Sequence, residues 1–294
     1  MLDGAAHGRP RLSLVRPSPR CPGAPHGPAR HDDGMAAQYG PHRWSAGDHQ
    51  DTGEHRAATF AVADLTGARF VDCDLTGVKI IDSWLVGVDI SGYVERFTVN
   101  GVDVTEFVAA ELDRRHPERV QLRQMRNADD FRAMASTVNE LWSAAVSRAE
   151  RLPEAARHER VAGEWSFAET LRHLVFITDS WASRTVLDQP MPYHRIGLPQ
   201  TAYAPADAGR LGIDLGATPT WAETLAARND RTAVLAGILA DLTDADLGRV
   251  CTRLPAPGYP EEERRVAECL AVVLEEECEH YRFAVRDLAA LESR

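Results

Sequence analysis

Lysine is almost absent from this chain: Lys79 is the only one among 294 residues, and arginine carries nearly all the basic charge. We read that as a codon habit rather than a site. Basic charge is also short overall, with 33 Lys and Arg against 44 Asp and Glu, for a formal net charge of -11. General nucleic-acid binding is therefore not expected, because neutralising phosphates needs a basic surface. Long apolar runs are missing too. None approaches the roughly 20 residues that span a bilayer, and the N-terminus has no apolar stretch of the signal-peptide kind. A cytoplasmic chain without a membrane partner is the expectation. Cysteine is sparse and unpatterned: Cys21, Cys73, Cys251, Cys269 and Cys278 form no C-x-x-C pair, so no zinc knuckle or redox motif is indicated. Reduced thiols buried as small hydrophobes are expected for most of them.

What is present is 44% hydrophobic and 26% charged, the balance of a globular protein with one or two cores. Three stretches differ in pattern. Residues 1–50 carry Pro and Gly every few positions and no periodicity, which predicts a disordered leader. Met35 is a candidate alternative start. Five histidines, His7, His26, His31, His42 and His49, are scattered there; a metal-binding tail is one reading, but scattered histidines in a disordered leader are usually incidental.

The second stretch, 56–110, has a period of five. Phe60, Leu65, Phe70, Leu75, Ile80, Leu85 and Ile90 recur at every fifth position, each preceded two places earlier by a small or β-branched residue or a cysteine. Five fits neither an α-helix nor a flat strand. It fits a squared coil with the large residue turned inward. The fragments ADLTGARF and CDLTGV resemble the pentapeptide-repeat family, which implies a short right-handed β-helix with four repeats per turn. Seven such positions make fewer than two turns, and stacked repeats need neighbours to bury a core. The following VERFTVNGVDVTEFV (94–108) reads as strands about an Asn100-Gly101 turn.

From about residue 118 the apolar period becomes helical. One face carries Phe131, Met134, Val138, Leu141, Trp142 and Ala145. Ser166 and Glu169 form a capping-box pattern ahead of Leu171, Leu174, Val175, Ile177 and Trp181. A long Pro- and Gly-rich connection, 188–219, follows, and loops of that length in a compact domain are often functional. Thr220 caps a helix through Leu225, Val234, Leu235 and Leu239, and a long C-terminal helix closes the chain. Four amphipathic helices with one long crossover predict an all-α four-helix bundle over 120–294.

On the last helix Cys269, Val273, Glu276, His280, Phe283 and Asp287 form one stripe. Glu276 and His280, four apart, bring their Cβ atoms within about 5–6 Å, close enough to grip one ion. His173, between Leu171 and Leu174, is a candidate third ligand; two His and a carboxylate with an open position is a recurring catalytic zinc arrangement. Spacing alone leaves two alternatives open. His173 by its surroundings alone fits a hydrogen-bonded core histidine better than a ligand, and Glu277 lies on a neighbouring apolar stripe with Leu270, Leu274, Tyr281 and Leu288. Cys278 sits about 160° around the helix from both Glu276 and His280, at 100° per residue, and is expected in the core.

The segments WSFAETLRHL, DSW and EEECEHYRFAVRDL, within residue 127 to the end, resemble the DinB superfamily, and among its members the mycothiol-dependent maleylpyruvate isomerases. The resemblance implies a four-helix bundle holding one divalent metal, zinc first and nickel second. It assigns the ligands to His173 and to the Glu276-x3-His280 pair. It further implies a low-molecular-weight thiol of the mycothiol or bacillithiol type as cosubstrate, an electrophilic substrate, transferase or isomerase chemistry, and a homodimer. His194 and Arg195, in the 188–219 loop with Tyr203, are candidates for general acid and carboxylate partner. Two other readings are a metal-binding scaffold without turnover and an interaction protein built on the repeats. A DNA mimic acting on topoisomerases would need a longer rod.

Overall fold

The computed structural model describes residues 55–294 other than 72 and 202; the expected leader, its histidines and Met35 lie outside them. The described residues fall into two units, one running to Ala109 and one from Ala110 to Arg294.

In the first unit the D-L-T-G fragments form turns. Asp64 and Asp74 each accept a hydrogen bond, 3.0 Å, from the backbone N–H two residues on, at Thr66 and Thr76. Gly67, Gly77 and Gly87 follow at ten-residue intervals with φ of 77°, 76° and 69°, a conformation that suits glycine. No paired strand forms before Thr98 among the described residues. The inward series from Phe60 to Ile90 stays 48–62% exposed, against 109% for Val62 and 97% for Trp84. The period of five therefore sorts a more sheltered side from an open one, and so short a coil closes no core. Cys73 is exposed here, against the expectation of burial.

The turn at Asn100-Gly101 is present. Strands β1 (Thr98–Val99) and β2 (Val102–Asp103) pair antiparallel, and both turn residues have positive φ, 49° and 79°, as a tight two-residue hairpin requires. Strand does not continue to residue 108, however. Asp103 Oδ1 accepts the Thr105 N–H at 2.9 Å, and helix α1 (Thr105–Arg115) begins there. Glu106 in its first turn and Arg114 and Arg115 in its last complement the helix dipole. Helix thus starts about a dozen residues earlier than the apolar period indicates, because no residue of α1 is buried enough to leave a stripe.

The second unit is helical. It contains α2 (Glu118–Gln124), α3 (Ala128–Glu150), the single turn α4 (Glu154–Arg157) and α5 (Phe167–Ile177). The chain then widens into a π-helical stretch, Thr178–Val186, so this rod outruns its α portion. After the crossover, which holds the short α6 (Pro205–Arg210), come α7 (Trp221–Asp241), α8 (Asp244–Leu247) and α9 (Val266–Glu292). A two-residue ribbon, β3 (Val250–Cys251) with β4 (Arg264–Arg265), precedes α9. Ser166 and Thr220 cap α5 and α7 with reciprocal bonds to Glu169 and Glu223; Asn127 and Asp130 do the same for α3. Helix α9 packs on α3, α5 and the π stretch, and α7 packs on α5. Met134, Val138, Trp142, Leu171, Leu174, Phe176, Leu235, Leu239, Leu270, Val273, Leu274 and Leu288 fill the shared core. Each such side chain contributes roughly 1.5–3 kcal/mol on burial. Among the described residues no helix is long and apolar enough to cross a membrane.

Candidate metal centre

Helix α5 is buried on nearly every side, His173 with it. A buried imidazole needs hydrogen-bond partners. Its Nδ1 meets the Leu198 carbonyl at 2.8 Å. A carbonyl can only accept, so Nδ1 carries the hydrogen. Burial pushes His173 below the usual imidazole range, which favours the neutral ring; with Nδ1 holding its one hydrogen, Nε2 is then a bare acceptor.

The crossover loop that supplies Leu198 is laced to α5. Leu198 N–H donates to the Arg172 carbonyl at 3.1 Å, and Arg172 Nε donates to the Ile196 carbonyl at 2.8 Å. Gly197 between them passes so close that an added Cβ would lie 3.1 Å from the His194 carbonyl oxygen and 3.6 Å from Phe176 Cβ. Further along, Asp179 on the π stretch accepts the His194 N–H at 2.8 Å and Arg231 Nε at 2.7 Å.

Across from His173, α9 presents Glu276 and His280. Glu276 Oε2 lies 3.1 Å from His280 Nε2 and 3.4 Å from His173 Nε2. One ligand atom from each residue falls within 4.8 Å of the others. Burial raises the Glu276 carboxyl, while a proton on Nε2 of either facing imidazole lowers it, and the second effect is the larger, holding the group well below the usual carboxylate range. Trp165 closes one side, its ring 4.7 Å from that of His173 and stacked at 5.9 Å on His280.

These residues fit a divalent ion. Donor atoms bonded tetrahedrally at about 2.0–2.1 Å stand about 3.3 Å apart, near the 3.1 and 3.4 Å separations found here. The bare Nε2 of His173 facing a carboxylate oxygen sets two acceptors against each other, and a cation between them satisfies both. The Leu198 carbonyl on Nδ1 is the outer partner that a metal-binding histidine ordinarily has.

The acidic run divides by partner. Glu277 is fully buried and pairs with Arg228 of α7 at 2.6 Å, so it is a helix-to-helix ion pair and not part of the cluster. Glu279 pairs with Arg119 and Arg282. Glu275 carries a carboxyl that burial and its acidic neighbours push up to about 7. Cys278 is buried, as expected, and its thiol is pushed up by that burial.

The loop candidates have partners of their own. Arg195 pairs with Asp214 at 2.9 Å and its side chain is 62% exposed. His194 Nδ1 accepts the Ile196 N–H at 3.3 Å. No hydrogen bond, ion pair or ring contact joins either residue to His173, Glu276 or His280 among the described residues. Tyr203 is buried and donates from its hydroxyl to the Pro257 carbonyl at 3.1 Å. Sequence reasoning passed over Trp165, Arg228 and Arg231. Trp165 stood beside the capping box in plain view, whereas two arginines on an amphipathic helix carry no local sign of burial.

Residues 137–284 match the DinB superfamily. The chain belongs to that superfamily. The DinB match includes His173, Glu276 and His280, and the fold around them is helical. Residues 56–92 match pentapeptide repeats, in eight copies. No curated protein and no solved structure matches the chain.

Proposed function

We propose that this DinB protein holds one divalent metal, zinc in the first place and nickel in the second, through His173, Glu276 and His280. The observation carrying this reading is the convergence of a bare imidazole nitrogen, a carboxylate oxygen and a second imidazole with donor separations of 3.1 and 3.4 Å. Three protein ligands leave a tetrahedral ion one open position. A metal there supplies Lewis acidity, lowering the pKa of a thiol that reaches it.

The chain's own groups do the rest. The Leu198 carbonyl orients His173, Trp165 fixes the planes of both imidazoles, and the apolar surroundings of α5 limit water. We infer a thiol-dependent transferase or isomerase in which a low-molecular-weight thiol of the mycothiol or bacillithiol type is delivered to an electrophile, in a cytoplasmic and homodimeric protein. The repeat segment fits the first turns of a right-handed β-helix and an interaction role. The second reading is a metal-binding scaffold without turnover.

Metal analysis of the purified wild type beside His173→Ala and His280→Ala tests the site. About one ion per chain in the wild type and loss in both variants is expected. A wild type without divalent ion under metal-replete conditions overturns it. Thiol consumption by the metal-loaded protein with mycothiol and maleylpyruvate or other electrophiles then separates the enzyme from the scaffold.

A further inference from the structure

Cys251 and Cys269 meet at the start of α9. Their sulfur atoms are 4.0 Å apart, eighteen positions apart in sequence, and both residues are buried. Cys251 ends β3 and Cys269 sits on the first turn of α9, so two separate elements bring them together. We propose that Cys251 and Cys269 are a redox-reactive dithiol that a peroxide closes, reversibly, to a disulfide. This rests on their placement and not on the metal chemistry.

Three features favour closure. The sulfurs need approach by only about 2 Å to reach bonding distance. The segment between them is anchored to the rest of the fold: Tyr193 donates to the Pro255 carbonyl, Tyr203 donates to that of Pro257, and the Tyr259 ring meets Trp181 at 5.6 Å. Access comes through β3. Its ladder with β4 has two residue pairs, and Val250 and Thr252 on either side of Cys251 are exposed; so short a ribbon opens locally at little cost.

The thiols are also unequal. The Cys269 S–H donates to the Cys251 sulfur, which lowers the Cys251 thiol and raises that of Cys269. Cys251 is therefore the attacking sulfur.

In the first step the Cys251 thiolate attacks hydrogen peroxide. An S–O bond forms, the O–O bond breaks, and the departing hydroxide takes the thiol proton to become water. In the second step Cys269 sulfur attacks Cys251 sulfur. The S–S bond forms, the S–O bond breaks, and the leaving hydroxide takes the Cys269 proton as a second water. Two thiols are oxidised by two electrons and the peroxide is reduced to two waters. The bridge ties the 252–263 segment to the helix that carries Glu276 and His280.

Full-length protein, reduced and then exposed to stoichiometric hydrogen peroxide, tests this by non-reducing peptide mapping. A Cys251–Cys269 linked peptide is expected, with a melting temperature raised by roughly 5–10 °C, both reversed by dithiothreitol. Cys278→Ser keeps the link, while Cys251→Ser abolishes it; the latter changes a strand end and avoids disturbing the helix core at Cys269. Over-oxidation of Cys251 without a link, a link to another cysteine, or two thiols left intact overturns the proposal. Metal content is read in the same samples, so an empty metal site leaves the disulfide result interpretable.

Discussion

At the scale of single residues, the centre depends on atoms that hold His173 as much as on the ligands. The Leu198 carbonyl selects the tautomer, and Gly197 allows that carbonyl to arrive. A methyl at Gly197 presses on the His194 backbone, and the loop has to shift by a few tenths of an ångström. Gly197→Ala is expected to weaken metal affinity about 10-fold, the effect of disturbing an outer-shell partner, with little change in the unfolding temperature of the metal-free protein. Competition against a chromophoric chelator measures it. Unchanged affinity would mean that the carbonyl does not govern the site.

At the scale of elements, α5 owes its start to a capping box reinforced from outside. Glu169 Oε2 accepts the Ser166 N–H at 2.9 Å and Arg160 Nε at 2.8 Å. Burial opposes ionisation of this carboxyl, but those hydrogen bonds and the Arg160 charge win and hold it below its ordinary 4.5. A depressed folded pKa means that the stabilisation is present above pH 4.5 and is lost as pH falls through the folded value. Glu169→Gln should therefore cost about 1–2 kcal/mol at pH 7. The gap from wild type should narrow steadily below pH 4.5 in chemical denaturation. A gap independent of pH would locate the loss in packing instead. Helix α9 shows a second elemental feature: consecutive glutamates face different partners, Glu276 the histidines and Glu277 Arg228. A helix turning 100° per residue makes that separation unavoidable.

At the scale of the whole molecule, the metal centre joins α5 to α9, so an ion bound there acts as a cross-link between two rods of the bundle. Ligand binding to the folded state alone stabilises by about 4 kcal/mol at a thousand times the dissociation constant. For a helical unit of this size that corresponds to roughly 8–16 °C. Adding a chelator should lower the melting of the helical circular dichroism signal by that order, and His280→Ala should show no chelator shift. Equal melting with and without chelator in the wild type would remove the structural role.

The sequence by itself determined what depends on neighbours along the chain. Capping boxes at Ser166 and Thr220, the helical stripes of α3 and α9, the hairpin turn at Asn100-Gly101 and the period of five are all local, so their patterns survive without a partner. It also made His173, Glu276 and His280 candidates through stripe position and family likeness. Helix α1 was illegible because it buries nothing, and the π-helical stretch because small and polar residues carry no sign of a wider turn. Spacing left Glu276 and Glu277 open and the family likeness favoured Glu276; the tertiary structure adds what separates the two carboxylates, Arg228 of α7 reaching Glu277 and His173 of α5 meeting Glu276. It alone paired Arg195 with Asp214, brought Trp165 against both imidazoles, and set Cys251 beside Cys269. Those contacts join residues far apart in the chain, and no local period encodes them.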